Sequence, residues 1–325
     1  MHIVAAPDKF KGTASAHDIG NAIAEAAVSA GHSCVIVPMA DGGEGTLDAL
    51  GGPNRSSLVT GPLGAPVEAE WRLDRSTAVI EMARAAGLVL AGGAEVNDPL
   101  GATTAGVGEL IGKAVDAGAT TIIIGVGGSA TTDGGLGALD AMGSAARFKG
   151  VEIIVACDVR TGFVDAATVF GPQKGASPAQ VTLLTGRLRT LIASYRDRFG
   201  VDVEHLERAG AAGGLAGGLA AAGARLVDGF DVVAEQLGLE QAISTADLVI
   251  TGEGFIDNES FEGKVVGGVA DMAAAHGVPV LAVAGQVFDD AHHRINTISL
   301  SDRFGLERAL ADPTSCIAEA VAEWF

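Results

Sequence analysis

Six lysines occur in the whole chain, and four of them, Lys9, Lys11, Lys174 and Lys264, fall in or beside glycine-rich loops rather than in helical patterns. The loops are Ala40-Asp41-Gly42-Gly43-Glu44-Gly45-Thr46, Gly125 to Gly135, Phe170-Gly171-Pro172-Gln173-Lys174-Gly175-Ala176, and Thr251 to Asp257. Glycine supplies 47 of 325 residues, well above the usual share of about 7%. Where a side chain is missing, backbone amides can close on an oxyanion. A single lysine at a turn is ordinary surface charge, but four in such loops point to phosphate. Carboxylates share the same places: Asp8, Asp41, Glu44, Asp133, Asp158, Glu253 and Asp257. Phosphoryl transfer needs carboxylates for Mg²⁺, a base near the accepting hydroxyl and cations on the transferred group. An aspartate at a strand end or helix start is more often a cap than a catalyst, so the set counts for more than any member.

Absent patterns narrow the chemistry. Lys264 follows Gly263 but precedes Val265, so there is no G-x-x-x-x-G-K-[ST] loop. Gly125-x-Gly127-x-x-Ala130 after a strand matches a dinucleotide fingerprint weakly, without the acidic residue expected about 20 positions on. No G-x-S-x-G elbow surrounds Ser129, and no H-E-x-x-H occurs. Nicotinamide, hydrolase and zinc chemistry therefore rank below phosphoryl transfer.

A net charge of −19 argues against nucleic acid and anionic membrane as partners. The expected partner is a small-molecule substrate, with self-association left open. Cys34, Cys157 and Cys316 have no metal-ligand spacing, and the N-terminal apolar run is too short for a signal peptide, so a reducing cytoplasm is expected.

The loops need elements to hold them. Strand and helix alternate at Ile3 to Ala6, Ser15 to Ala30, Cys34 to Pro38 and Gly45 to Leu50, with Ser15 and Asp18 as a capping pair. Short strands at 57–60, 67–73 and 77–80 read as hairpins. The rhythm then resumes with helix 103–117, strand 121–126, helix 135–145, strand 151–156 and a helix from Pro178 to Phe199 capped by Ser177. Gly210 to Gly218 reads as a close-packed turn and helix start rather than a linker. Strands at 248–251 and 278–284, a helix at 265–275 and a weak strand at 295–300 resemble the opening, which suggests one sheet from both chain ends.

Pro7-Asp8-Lys9-Phe10-Lys11-Gly12, Ala40 to Thr46, Gly127 to Gly135, Phe170 to Ala176, Gly210 to Leu215, Thr251-Gly252-Glu253-Gly254 with Asp257, and Gly263-Lys264 together resemble the type I glycerate kinase family. The resemblance implies ATP- and Mg²⁺-dependent phosphorylation of D-glycerate. It also implies an α/β fold in which a flavodoxin-like parallel-sheet domain, residues 1–60 and 240–325, carries an inserted restriction-endonuclease-like α/β domain, residues 61–239. The segment Arg160 to Asp165 departs from the family pattern.

On this basis the catalytic candidates are Asp158, Asp8 and Lys11, with Asp158, at a strand end, first choice for general base. Asp8 and Asp133 are its rivals as base, and sequence does not order the three. Lys9, Gly127, Gly128, Ser129, Thr131, Thr132, Gln173, Lys174, Glu253 and Lys264 are expected to bind phosphate or substrate. Asp41, Glu44 and Asp133 are expected to hold metal. A non-catalytic sensor of a nucleotide or hydroxy acid is the competing expectation.

Overall fold

The computed structural model describes residues 1–261, 263–288 and 293–325. Its described strands, in chain order, are β1 His2–Ala5, β2 Ser33–Ile36, β3 Arg55–Thr60, β4 Pro66–Asp74, β5 Thr77–Glu81, β6 Thr121–Gly125, β7 Glu152–Cys157, β8 Arg225–Asp228, β9 Leu248–Ile256, β10 Val280–Val287 and β11 Asn296–Ser299. They form two sheets, ordered β11-β10-β9-β1-β2 and β3-β4-β5-β6-β7-β8. All pairs in the first are parallel. The second is parallel from β5 to β8 and antiparallel through β3, β4 and β5. The protein is thus mixed α/β with parallel-dominated sheets.

Two compact units result, one from Met1–Asp41 with Phe230–Phe325, the other from Gly42–Gly229. The divisions between these units fall at 41/42 and 229/230. Residues 42–50 go with the central unit because the helix Thr46–Ala49 is anchored there, Leu47 N–H donating to the Glu81 carboxylate at 2.8 Å.

In the terminal unit, β1 pairs with β9 in register Ile3 to Leu248, so both chain ends share one sheet. Alternation places Leu281 and Val283 of β10 in one core and Ala282 and Ala284 in another, as opposite faces of a strand require. The larger core contains Ile19, Ile23, Ile317 and Val321 from the helices Ala16–Ser29 and Pro313–Trp324. Ser15 and Asp18 close a capping box at the first of these helices.

In the central unit, Ile122, Ile123 and Ile124 of β6 are fully buried, as expected of a parallel strand covered on both faces. The helix Pro178–Phe199 begins with a Ser177/Gln180 capping box and ends at Gly200 in the left-handed region. Gly210 to Gly218 is indeed a packed turn and helix start, the 3-10 turn Ala211–Gly214 followed by the helix Leu215–Ala221.

Candidate functional site

Backbone lies directly on backbone at the C-terminal ends of β6, β7 and β8. A Cβ on Gly42 would sit 2.7 Å from the Ala156 carbonyl oxygen and 3.0 Å from Gly229 Cα. One on Gly125 would sit 2.8 Å from the Gly42 oxygen, and one on Gly127 2.5 Å from Gly43 Cα. Only glycine permits these approaches. The loop of residues 42–45 and the loop after β6 therefore face each other at the strand ends, where open α/β sheets bind ligands. Glu44 is exposed on the first loop. A groove of about 610 Å³ opens here, with Glu44, Glu81, Arg84, Val89, Leu90 and Gly128 among its lining residues.

The loop from Gly127 to Asp133 is zipped to its neighbours. Leu88 N–H donates to the Gly128 carbonyl at 2.9 Å, and Ala130 N–H to the Ala86 carbonyl at 2.9 Å. Ser129, Thr131 and Thr132 are buried, and the Oγ1 atoms of both threonines have no partner among the described residues. Buried polar atoms are nearly always paired, so these two hydroxyls fit a ligand's oxyanion.

Lys174 occupies a place its sequence context does not suggest. It is only 5% exposed, and its Nζ donates to the Thr131 carbonyl at 2.6 Å. The Asn97 amide donates to the Ala130 carbonyl at 3.0 Å and to the Lys174 carbonyl at 2.9 Å. Burial pushes the Lys174 ammonium down to about 7, against the pull of Asp133. Lys174, expected to contact phosphate, here props the loop from beneath. Gln173, in the same turn, is exposed.

Asp133, expected to hold metal, is tied into the fold by four hydrogen bonds. One of its oxygens accepts from the Thr104 N–H and hydroxyl, both at 2.8 Å, and from Gly137 N–H at 3.2 Å; the other accepts from Gly135 N–H at 3.0 Å. Through these donors the carboxylate ties two helix starts together. Asp158 follows β7 directly and is exposed at the same strand edge.

A second group lies in the terminal unit, where β1 and β9 meet. Asp8 N–H donates to the Gly252 carbonyl at 2.8 Å, and the carboxylate is buried, with Lys9 Nζ at 3.5 Å. Burial raises the Asp8 carboxyl to about 6, opposed by Lys9 and assisted by Asp41. Glu253, in β9, is raised to about 7, chiefly by burial, with Asp8 contributing. Its Oε1 is buried without a partner among the described residues. Glu253, expected to contact phosphate or substrate, here lies near a second carboxylate, an arrangement that also suits a cation. Lys11 is exposed, and Lys264 lies 3.9 Å from Glu259.

Sequence reasoning missed Asn97, Glu81 and Arg208. Asn97 and Arg208 carry no local motif, while Glu81 ends the strand run at 77–80 and could have been noticed as a carboxylate at a parallel strand's C-terminal end.

A parallel α/β scaffold with packed glycine loops at its strand ends and buried donors without partners defines an anion-handling enzyme of the phosphotransferase kind. A model of the glycerate kinase family matches residues 3–147 and 144–323, and the chain belongs to that family. It is similar to glycerate 2-kinase of Escherichia coli strain K12, 42% identical over 89% of this chain and 86% of the relative. It is also similar to a glycerate kinase of Bacillus subtilis strain 168, 40% identical over 90% of this chain and 87% of that one. A crystal structure of a provisionally named glycerate kinase 2 from Salmonella typhimurium LT2 superposes with a TM-score of 0.82 at 35% identity, covering 100% of this chain and 98% of the other.

Proposed function

We propose that the protein transfers the γ-phosphoryl group of ATP to a hydroxyl of D-glycerate, with Mg²⁺ as cofactor. The observation that carries this reading is the pair of buried threonine hydroxyls without partners, Thr131 and Thr132, on a glycine loop packed backbone to backbone against residues 42–45. Such a loop presents donors that are already fixed before the phosphate arrives, so little reorganisation accompanies charge development. The neighbouring groove, at about 610 Å³, has the volume of a nucleotide site.

Asp158 is assigned as general base. It would accept the hydroxyl proton as the substrate oxygen attacks phosphorus. The orphaned Glu253 oxygen beside Asp8 fits a divalent cation, which these two carboxylates would hold, with Asp41 adding negative charge. A Mg²⁺ ion held there would supply positive charge to offset that of the phosphate groups. Glu44 would contact nucleotide from its exposed loop, and Lys9, Lys11 and Lys264 remain candidate phosphate ligands.

Renumbered within its own unit, the all-parallel sheet runs 2-1-3-4-5, the order of flavodoxin-like sheets, whose ligand crevice opens beside strand 1 at the switch point. Asp8 follows one of the two strands that flank that point, and Glu253 lies within the other. This supports a flavodoxin-like domain for the terminal unit, with the central unit as the restriction-endonuclease-like insertion. Three free cysteines suit the cytoplasm.

The direct test is Mg²⁺-dependent ADP formation across a panel of small hydroxy acids. Turnover with D-glycerate is expected, and no ADP above background with any of them would refute the reading.

A further inference from the structure

Arg208 has a backbone φ of 70°, in the left-handed region that favours glycine. Strain of this kind persists where surrounding structure imposes it, and it concentrates at functional sites. The side chain is largely buried: Nη2 donates to Asp228 Oδ2 at 3.1 Å, with the two side chains 13% and 15% exposed. Asp228 is the last residue of β8, at the same sheet edge as Asp158 after β7. The Cys157 thiol at the end of β7 is pushed up to about 12, chiefly by burial, with Asp158 and Asp228 adding to the rise and Arg208 opposing it. The guanidinium and both carboxylates therefore converge on the ends of β7 and β8.

Two acidic groups there would repel an anionic substrate unless a cation stood among them. Three other cations of this unit are engaged elsewhere. Lys174 bonds the Thr131 carbonyl beneath the loop, Arg84 is held by Asp48, Glu70 and Glu81, and Arg160 is 71% exposed beside Glu207. A guanidinium offers five N–H donors in a planar fork that matches a carboxylate. The bond to Asp228 holds that fork in one orientation.

We infer that Arg208, oriented by Asp228, binds the carboxylate of the hydroxy-acid substrate and so selects acids over neutral polyols. The inference rests on the proposed kinase reading, in which Asp158 receives the proton of the neighbouring hydroxyl.

Arg208→Gly suits the left-handed backbone but leaves the largely buried Asp228 without its cation, so Tm is expected to fall and the kinetics are read well below it. It should raise the KM for D-glycerate about 10- to 100-fold, the range of a lost charge-assisted pair. The KM for ATP should not move. Discrimination between D-glycerate and its uncharged amide, as the ratio of kcat/KM values, should fall by a similar factor, and Arg208→Lys should restore part of it. A variant that retains the wild-type preference for the acid, or loses affinity for glycerate and ATP alike, overturns the assignment. Wild-type protein inactive on every hydroxy acid would overturn the kinase reading, and this inference with it.

Discussion

The Lys174 ammonium nitrogen lies 2.6 Å from the Thr131 carbonyl oxygen, with both residues buried. The same lysine's carbonyl accepts from Asn97, which also reaches Ala130. One side chain and its own backbone thus brace successive residues of the loop assigned to phosphate.

That contact predicts a pH-dependent stability. The Lys174 pKa falls from 10.5 to about 7 on folding. Between those values the unfolded chain binds more protons, so stability rises with pH across that window, and below about 7 the full penalty of a buried charge is present. Asp8 and Glu253, raised to about 6 and 7, slope the other way from about pH 4 to 7. Lys174→Met should flatten the rise above pH 7 and leave the acid limb intact. Urea unfolding of both proteins at pH 6.5, 7.5 and 8.5 checks this, and parallel curves would contradict it.

At Asp8 and Glu253, protons compete with a cation. The Mg²⁺ concentration for half-maximal rate is expected to fall by about tenfold between pH 6 and pH 8, as each carboxylate ionises. Glu253→Gln should weaken Mg²⁺ dependence at pH 8 and remove most of that change. Titrating activity with Mg²⁺ at the two pH values decides the matter.

Gly127→Ala would drive a methyl group to 2.5 Å from Gly43 Cα, forcing the two loops apart. A displacement near 1 Å is expected to lower kcat/KM by about 100-fold, and overpacking to cost about 1–3 kcal/mol. Gly186→Ala is the control. It lies inside the helix Pro178–Phe199, and its Cβ would meet nothing within 4 Å. It should add about 0.5–1 kcal/mol of stability and leave the kinetics alone. Denaturant midpoints and steady-state rates of the pair separate loop geometry from a generic cost of losing glycine.

Asp158→Asn keeps shape and removes charge. If the residue is the base, kcat should drop about 10²- to 10⁴-fold with Tm unchanged. Near-normal turnover at an unchanged Tm would exclude it as base and move the role to Asp8.

The elements were legible wherever their signals are local. Ser177-Pro178 starts a helix that ends at Phe199 as read, because a cap and a left-handed glycine act within a few residues. The glycine loops were legible too, since close backbone approach leaves an excess of one residue type. The strand β8 and helices near the C-terminus went unread: β8 is too short to show a period, and the cap signal of Asp312-Pro313 before Pro313–Trp324 was passed over.

What sequence alone determined is the family, the alternation of strand and helix, and which loops carry cations and carboxylates. Only the tertiary structure decided where those side chains point. Lys174 turns under its loop because Asn97, 77 residues earlier in the chain, holds its carbonyl. Asp133 turns into two helix starts because Thr104, 29 residues away, offers it two donors. Arg208 is joined to Asp228 across 20 residues that carry no common motif. A loop lysine or aspartate has several low-energy directions, and the choice is made by partners remote in sequence, through desolvation and hydrogen bonds that exist only once the sheets are packed.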